Sequence, residues 1–172
     1  MKKVLLCIMD GVGLRKNSLG NAYLNANTPT LDYLMKEYPH THLEASGEYV
    51  GLPKGQMGNS EVGHSTIGSG RVIYQSLEKI NKSITDKSFY RNKELLSAIN
   101  YAKQNNSHLH LIGLLSDGGI HSHISHLFAL LDLCQKENFH NVFVHVITDG
   151  RDTAPDSGIN YILALENKLK EL

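Results

Sequence analysis

Two apolar runs, "HLHLIGLLS" (108–116) and "NVFVHVITDG" (141–150), flank the long amphipathic segment "HISHLFALLDLCQKEN" (123–138). Strands alternating with helices of ten or more residues indicate a parallel α/β sheet, because parallel neighbours need a long crossover between them. The surrounding segments keep that rhythm. "QSLEKINKSI" (75–84) and "KELLSAINYAKQN" (93–105) space their apolar residues as helices do, and Pro155–Leu172 reads as a final helix. Upstream, Val4–Met9 is continuously apolar and predicts a buried strand covered on both faces. Residues 41–45 predict a second, short strand. "TPTLDYLMKEY" (28–38) predicts a helix with Thr28 as N-cap, Pro29 at its first position, and Leu31, Leu34 and Met35 on one face. The change of character near 72–76 marks a domain boundary, giving domains at 1–74 and 75–172.

The bulk numbers exclude several classes. Of the 172 residues, 41% are hydrophobic and 20% charged, as in a soluble globular protein. Seventeen basic residues balance seventeen acidic ones, so no global field favours nucleic acid or an anionic membrane. Lys2 and Lys3 before an apolar run imitate a signal peptide. That run holds only six residues before Asp10, short of the ~7–15 of a signal segment. Nor does any stretch approach the ~18–20 apolar residues of a membrane span. Cys7 and Cys134 sit in apolar surroundings far apart in sequence, which predicts buried free thiols and a reducing cytoplasm. Oligomeric state is not encoded in any motif of the chain.

Ligands in open α/β sheets sit beyond the carboxyl ends of the strands, and three expected strands here run into polar loops. Asp10 follows the first. Before Gly11 an aspartate is often a turn former, yet its carboxylate is also a hard ligand suited to Mn²⁺ or Mg²⁺. Ser60 lies in "QMGNSEVGHSTIGSGR" (56–71) with no G-x-S-x-G elbow around it. A serine hydroxyl needs a base or a metal to become a nucleophile, and an ion shared with Asp10 would supply one. The segment after Ser60 could offer helix N-terminal N–H groups to a phosphate, with Gly58 and Gly63 allowing close approach to a ligand. The competing reading makes Ser60 a helix-capping serine.

"HSHISH" (121–126) puts three histidines in six residues. His123 and His126 share a helix face, which is compatible with zinc or with a solvated helix start, while His121 in the loop before them could meet an anion. In "GRDTAPDSG" (150–158), Arg151 presents a planar fork suited to carboxylate or phosphate, and Asp152 could exchange a proton with a substrate hydroxyl. The alternative there is a surface ion pair worth ~0–1 kcal/mol.

Four segments together, "DGVG" (10–13), "GLPKGQMGNSEVGHSTIGSGR" (51–71), "SDGGIHSH" (116–123) and "TDGRDTAPDSG" (148–158), resemble cofactor-independent phosphoglycerate mutase in order and spacing. The resemblance runs through essentially the whole chain. It implies a partial alkaline-phosphatase-like parallel sheet followed by the first part of an inserted α/β domain that holds phosphoglycerate. It further implies interconversion of 3-phosphoglycerate and 2-phosphoglycerate in glycolysis, with two Mn²⁺ ions and no 2,3-bisphosphoglycerate. By the same resemblance Ser60 becomes a phosphoserine, and Asp10 and Ser60 are ligands of one manganese. His121 and Arg151 bind substrate, and Asp152 both binds it and assists proton transfer.

Family members extend further than this sequence, so the resemblance also implies a chain incomplete for catalysis. The other aspartate and histidine ligands, the later arginines and a lysine are not among these residues. A non-catalytic phospho-acid-binding remnant is the alternative reading, and a metal-dependent phosphatase of the same superfamily is a third.

Overall fold

A computed structural model describes residues 3–172, which divide into two compact units after Ile73. In the second unit, β1 (Leu109–Leu115) and β2 (Val142–Thr148) form a two-stranded parallel sheet, in register from Leu109 against Val142 to Leu115 against Thr148. The crossover is a helix, here labelled α6 (Ile124–Lys136), as the spacing of the two apolar runs predicts. The other helices of this unit are α4 (Ser76–Thr85), α5 (Lys93–Gln104) and α7 (Gly158–Lys170). Three shorter or earlier helices belong to the first unit: α1 (Ala22–Asn25), α2 (Pro29–Glu37) and α3 (Ser60–Ser69). The fold is therefore mixed α/β around a parallel strand pair.

Strand alternation explains the core of the second unit. Leu109, Leu111 and Leu115 point to the same side as Val142, Val144 and Val146, and the helices cover that side. Helix α6 serves two clusters at once. Leu131 packs with Leu115 and Leu165, whereas Leu133 and Cys134 pack with Ile99, Ala102 and Phe139. Full burial of a Leu or Ile side chain contributes roughly 1.5–3 kcal/mol, so these few residues dominate the unit's stability. The opposite sheet face carries His110, Ile112, Phe143, His145 and Ile147, all exposed. On it, His110 stacks on Phe143 at 5.4 Å between ring centres.

Helix ends follow local chemistry. Asn92 caps α5 by accepting the N–H groups of Glu94 and Leu95. His123 is the N-cap of α6, its Nδ1 accepting the Ser125 N–H, and is not a helical residue. Helix α7 begins three residues after Pro155, because Ser157 N–H closes a tight turn on the Ala154 carbonyl.

In the first unit the two expected strands do not form. Residues 3–9 and 41–45 carry no ladder, and Val4 and Leu5 are each 92% exposed. A parallel strand requires a hydrogen-bonded neighbour and cover on both faces, and none of the described residues of this unit supplies either. Cys7 is consequently exposed, contrary to the expectation of two buried thiols, while Cys134 is buried as expected. Helix α2 forms with Pro29 at its start but buries no residue. Thr28 is its N-cap by position only, since its hydroxyl bonds the Asp32 carboxylate at 3.0 Å and makes no backbone cap. The buried cluster of this unit is small: Val50, Leu52 and Val62. Among the described residues no helix is long and apolar enough to cross a membrane.

Candidate active-site residues

Ser60 is the first residue of α3, and the capping task falls to its neighbour. Asn59 accepts the Val62 N–H on its side-chain oxygen at 3.1 Å. The capping reading of Ser60 is thereby excluded, and its hydroxyl is turned elsewhere. Ser60 Oγ donates to Asp10 Oδ2 at 2.6 Å, and both residues are exposed.

His64, one helical turn on, was not singled out by its sequence context. Its Nδ1 lies 2.9 Å from the Ser60 carbonyl oxygen and 3.2 Å from Ser60 Oγ. A carbonyl can only accept, so Nδ1 carries the proton in this arrangement. His64 Nδ1 therefore cannot deprotonate Ser60 here, and the hydroxyl's proton points at Asp10. An i, i+4 serine–histidine pair on a helix was the signal available for this contact.

The glycines of this loop divide. A Cβ on Gly58 would lie 1.8 Å from the Ala45 carbonyl oxygen, so its close approach is to the protein's own backbone and not to a ligand. A Cβ on Gly63 would meet nothing within 4 Å.

In the second unit the two strands end side by side, and each is followed by a polar residue that turns inward. Ser116 and Asp149 are both buried, and Ser116 Oγ donates to Asp149 Oδ2 at 2.6 Å. The other carboxylate oxygen of Asp149 accepts the N–H groups of Arg151 at 2.9 Å and Asp152 at 3.1 Å. The Ser116 hydroxyl and these two amides hold the Asp149 carboxyl down to a pKa of about 2.

Asp152 faces His121, with Nδ1 and Oδ2 2.5 Å apart. The carboxylate side chain is 5% exposed and the imidazole 57%, so the pair presents the ring outward and keeps the acid behind it. Arg151 is exposed and has no ion pair among the described residues, which removes the surface-pair alternative. Gly118 packs so tightly on this group that a Cβ there would come within 2.6 Å of Asp152 Cβ. Tyr161 of α7 donates to Asp117 at 2.5 Å, and that hydrogen bond raises its phenol pKa.

The remaining histidines of "HSHISH" are structural. His123 caps α6, and His126 Nε2 meets Asn81 Oδ1 of α4 at 2.7 Å, with burial pushing its pKa down. No group of three or more His, Cys, Asp or Glu among the described residues could hold a metal ion, so the zinc alternative has no support.

A family profile described as "BPG-independent PGAM N-terminus" matches residues 80–172, more than half of the chain. This chain belongs to the 2,3-bisphosphoglycerate-independent phosphoglycerate mutase family. It is 60% identical over 162 residues to the mutase of that name from Onion yellows phytoplasma, covering 94% of this chain and 32% of that protein. It is 55% identical over 171 residues to the one from Clostridium perfringens, covering 99% and 33%. The chain thus spans about a third of the length of these mutases. A crystal structure of Leishmania mexicana phosphoglycerate mutase at low cobalt concentration superposes with a TM-score of 0.64 at 35% identity, over 85% of this chain and 27% of that one.

Within this family chain, Asp10 and Ser60 converge as two hard oxygen donors, the chemistry expected of part of a Mn²⁺ or Mg²⁺ shell. They fit such an ion as members of a larger ligand set and do not complete one.

Proposed function

We propose that this chain acts as the N-terminal third of an enzyme that interconverts 3-phosphoglycerate and 2-phosphoglycerate in glycolysis through a phosphoserine at Ser60. The observation that carries the proposal is the Ser60–Asp10 contact at 2.6 Å, made by a serine freed from helix capping in a chain of this family. In this reading residues 1–74 are the start of an alkaline-phosphatase-like domain. Residues 75–172 begin an inserted domain that holds the glycerate.

Asp10 and Ser60 would contribute to one divalent site, Mn²⁺ or Mg²⁺, with further ligands outside this chain. When bound, such an ion lowers the pKa of a coordinated hydroxyl and neutralises phosphoryl oxygens. Ser60, having released its hydroxyl proton to solvent, attacks through Oγ, forming the new bond to phosphorus as the bond from phosphorus to the glycerate oxygen breaks. Asp152 enters the cycle protonated on Oδ1, gives that proton to the oxygen set free, and then as a carboxylate takes one from the other hydroxyl, which receives the phosphoryl group as the bond from phosphorus to Ser60 Oγ breaks. The Nδ1–H of His121 keeps the Asp152 carboxylate oriented, and Arg151 grips an anionic group of the substrate. The family's name places it among enzymes independent of 2,3-bisphosphoglycerate, in keeping with a phosphoryl group carried by the protein itself. Cytoplasmic location accords with free thiols at Cys7 and Cys134.

Incubating the complete protein with 3-phosphoglycerate and Mn²⁺, without 2,3-bisphosphoglycerate, tests this. The expected product is 2-phosphoglycerate with little inorganic phosphate. Release of phosphate without isomer formation would instead make the protein a phosphatase.

A second reading has one observation in its favour: the second unit has its own core and its own polar loop cluster. It would bind a phospho-acid without chemistry. Metal-independent binding of 3-phosphoglycerate by the 172-residue chain, lost on Arg151→Ala, together with no turnover in any form of the protein, would favour it.

A further inference from the structure

The two loops that carry His121, Arg151 and Asp152 leave different strands, yet both are fastened to one buried pair. Ser116 Oγ donates to Asp149 Oδ2 and also accepts the Gly118 N–H at 3.3 Å. The Ser116 carbonyl accepts the Ile124 N–H at 2.7 Å, closing the loop that contains His121. On the other strand, Asp149 Oδ1 takes the N–H groups of Arg151 and Asp152. Ser116 is 1% exposed and Asp149 6%, so neither can be serving a ligand directly.

We propose that Ser116 and Asp149 are positioning residues, a buried bracket that fixes the His121 loop and the Arg151–Asp152 loop relative to each other.

The physical reason for a carboxylate lies in the acceptor count. Asp149 must accept three hydrogen bonds, one hydroxyl and two amides, inside a region closed to water, and an ionised carboxylate accepts all three. The backbone N–H groups of Arg151 and Asp152 point into the bracket, while the Asp152 side chain reaches His121. The 2.5 Å pairing of Asp152 with His121 then joins the two loops a second time, at the surface. Gly118, which leaves no room for a Cβ against Asp152, belongs to the same close packing. Loss of the bracket therefore frees both loops together, although each lies on its own strand.

The catalytic consequence rests on the function proposed above, and the test separates the two claims. Amide hydrogen exchange is measured on the 172-residue chain and on its Ser116→Ala, Asp149→Ala and Asp149→Asn variants. Removing Ser116 Oγ should raise exchange at Arg151 and Asp152, and Asp149→Ala should raise it at Gly118, whereas Asp149→Asn, which keeps an acceptor and a donor in place, should leave it near the natural level. Increased exchange confined to the mutated strand's own loop would overturn the bracket. If Asp149→Ala does not fold, Ser116→Ala decides the question from the other strand.

In the complete enzyme, Asp149→Ala should lower kcat/KM about 10- to 100-fold, the scale of small misplacements of reacting groups. Asp149→Asn, which keeps an oxygen for the amides and an NH₂ that can donate to Ser116 Oγ, should recover most of that loss. Failure of Asn to recover activity would show that the negative charge acts directly and would overturn the positioning role. Arg151→Ala is the control for the parent reading. Unchanged turnover in that variant would sink the proposed function, and the catalytic consequence of the bracket with it. Lost turnover in Arg151→Ala beside normal turnover in Asp149→Ala would sink the bracket's catalytic role alone.

Discussion

The hydroxyl of Ser60 donates to the carboxylate of Asp10 at 2.6 Å, joining the first residue of α3 to a residue fifty positions earlier. Asp10→Asn separates two roles for that carboxylate. The amide oxygen can still accept the Ser60 hydroxyl, but the anionic charge that suits a hard cation is gone. Turnover should fall by at least about 100-fold, with stability changed by no more than ~0.5 kcal/mol because the site is exposed. Steady-state kinetics paired with a thermal melt measure both. Near-normal turnover would show that Asp10 only orients Ser60.

Gly58 and Gly63, five residues apart in one loop-and-helix segment, should respond in opposite directions. A methyl group on Gly58 runs into the Ala45 carbonyl, so Gly58→Ala should destabilise the first unit by about 1–3 kcal/mol or more. Gly63 lies inside α3 with open space around it, and Ala there should be neutral or stabilising by up to ~1 kcal/mol. Equal losses in the two variants, read from denaturant melts, would contradict the packing described.

Gly118→Ala presses a methyl group onto Asp152 Cβ. Because Asp152 is held from behind by Asp149, the strain should move its carboxylate away from His121. The expected result is a drop in kcat/KM of about 10- to 100-fold with the fold retained. Unchanged kinetics would mean that the loops have more slack than a 2.6 Å approach allows.

Acid should act on the second unit through Asp149. Its folded pKa of about 2 lies below the ordinary 3.8, so ionisation favours the folded state. The contribution is fully present above the unfolded value near 3.8 and is lost as pH falls through about 2. Denaturant midpoints measured between these limits should fall with pH in the natural chain and fall less in Asp149→Asn. Parallel curves for the two would deny Asp149 this role.

The second unit was largely legible in the sequence because it satisfies its own needs. The runs around Leu111 and Val144 find each other as parallel partners, and α6 between them carries two faces of its own core. Val4–Met9 misled for the converse reason: an apolar run announces a demand for cover, and the described residues of the first unit do not meet it. Cys7 was misplaced along with that run. At the sites, Ser60, Asp10, His121 and Asp152 were visible as residue types at strand and loop ends, while their pairings were not. Ser116 and Asp149 escape a sequence reading because buried polar residues that bond each other and nearby backbone leave no spacing pattern. His64 could have been found from its i, i+4 relation to Ser60. The three histidines of "HSHISH" divided by local geometry into a loop residue, a cap and a partner of Asn81, a distinction no composition carries.

The nucleophilic role proposed for Ser60 is tested most directly by turnover of 3-phosphoglycerate in the complete protein carrying Ser60→Ala, followed by phosphopeptide mapping of the unsubstituted protein. The variant should lose at least about 10³-fold in kcat, as when a nucleophile is removed. The natural protein should carry phosphate on the peptide containing Ser60. Retained turnover in Ser60→Ala, or phosphate found only on another residue, would contradict that role.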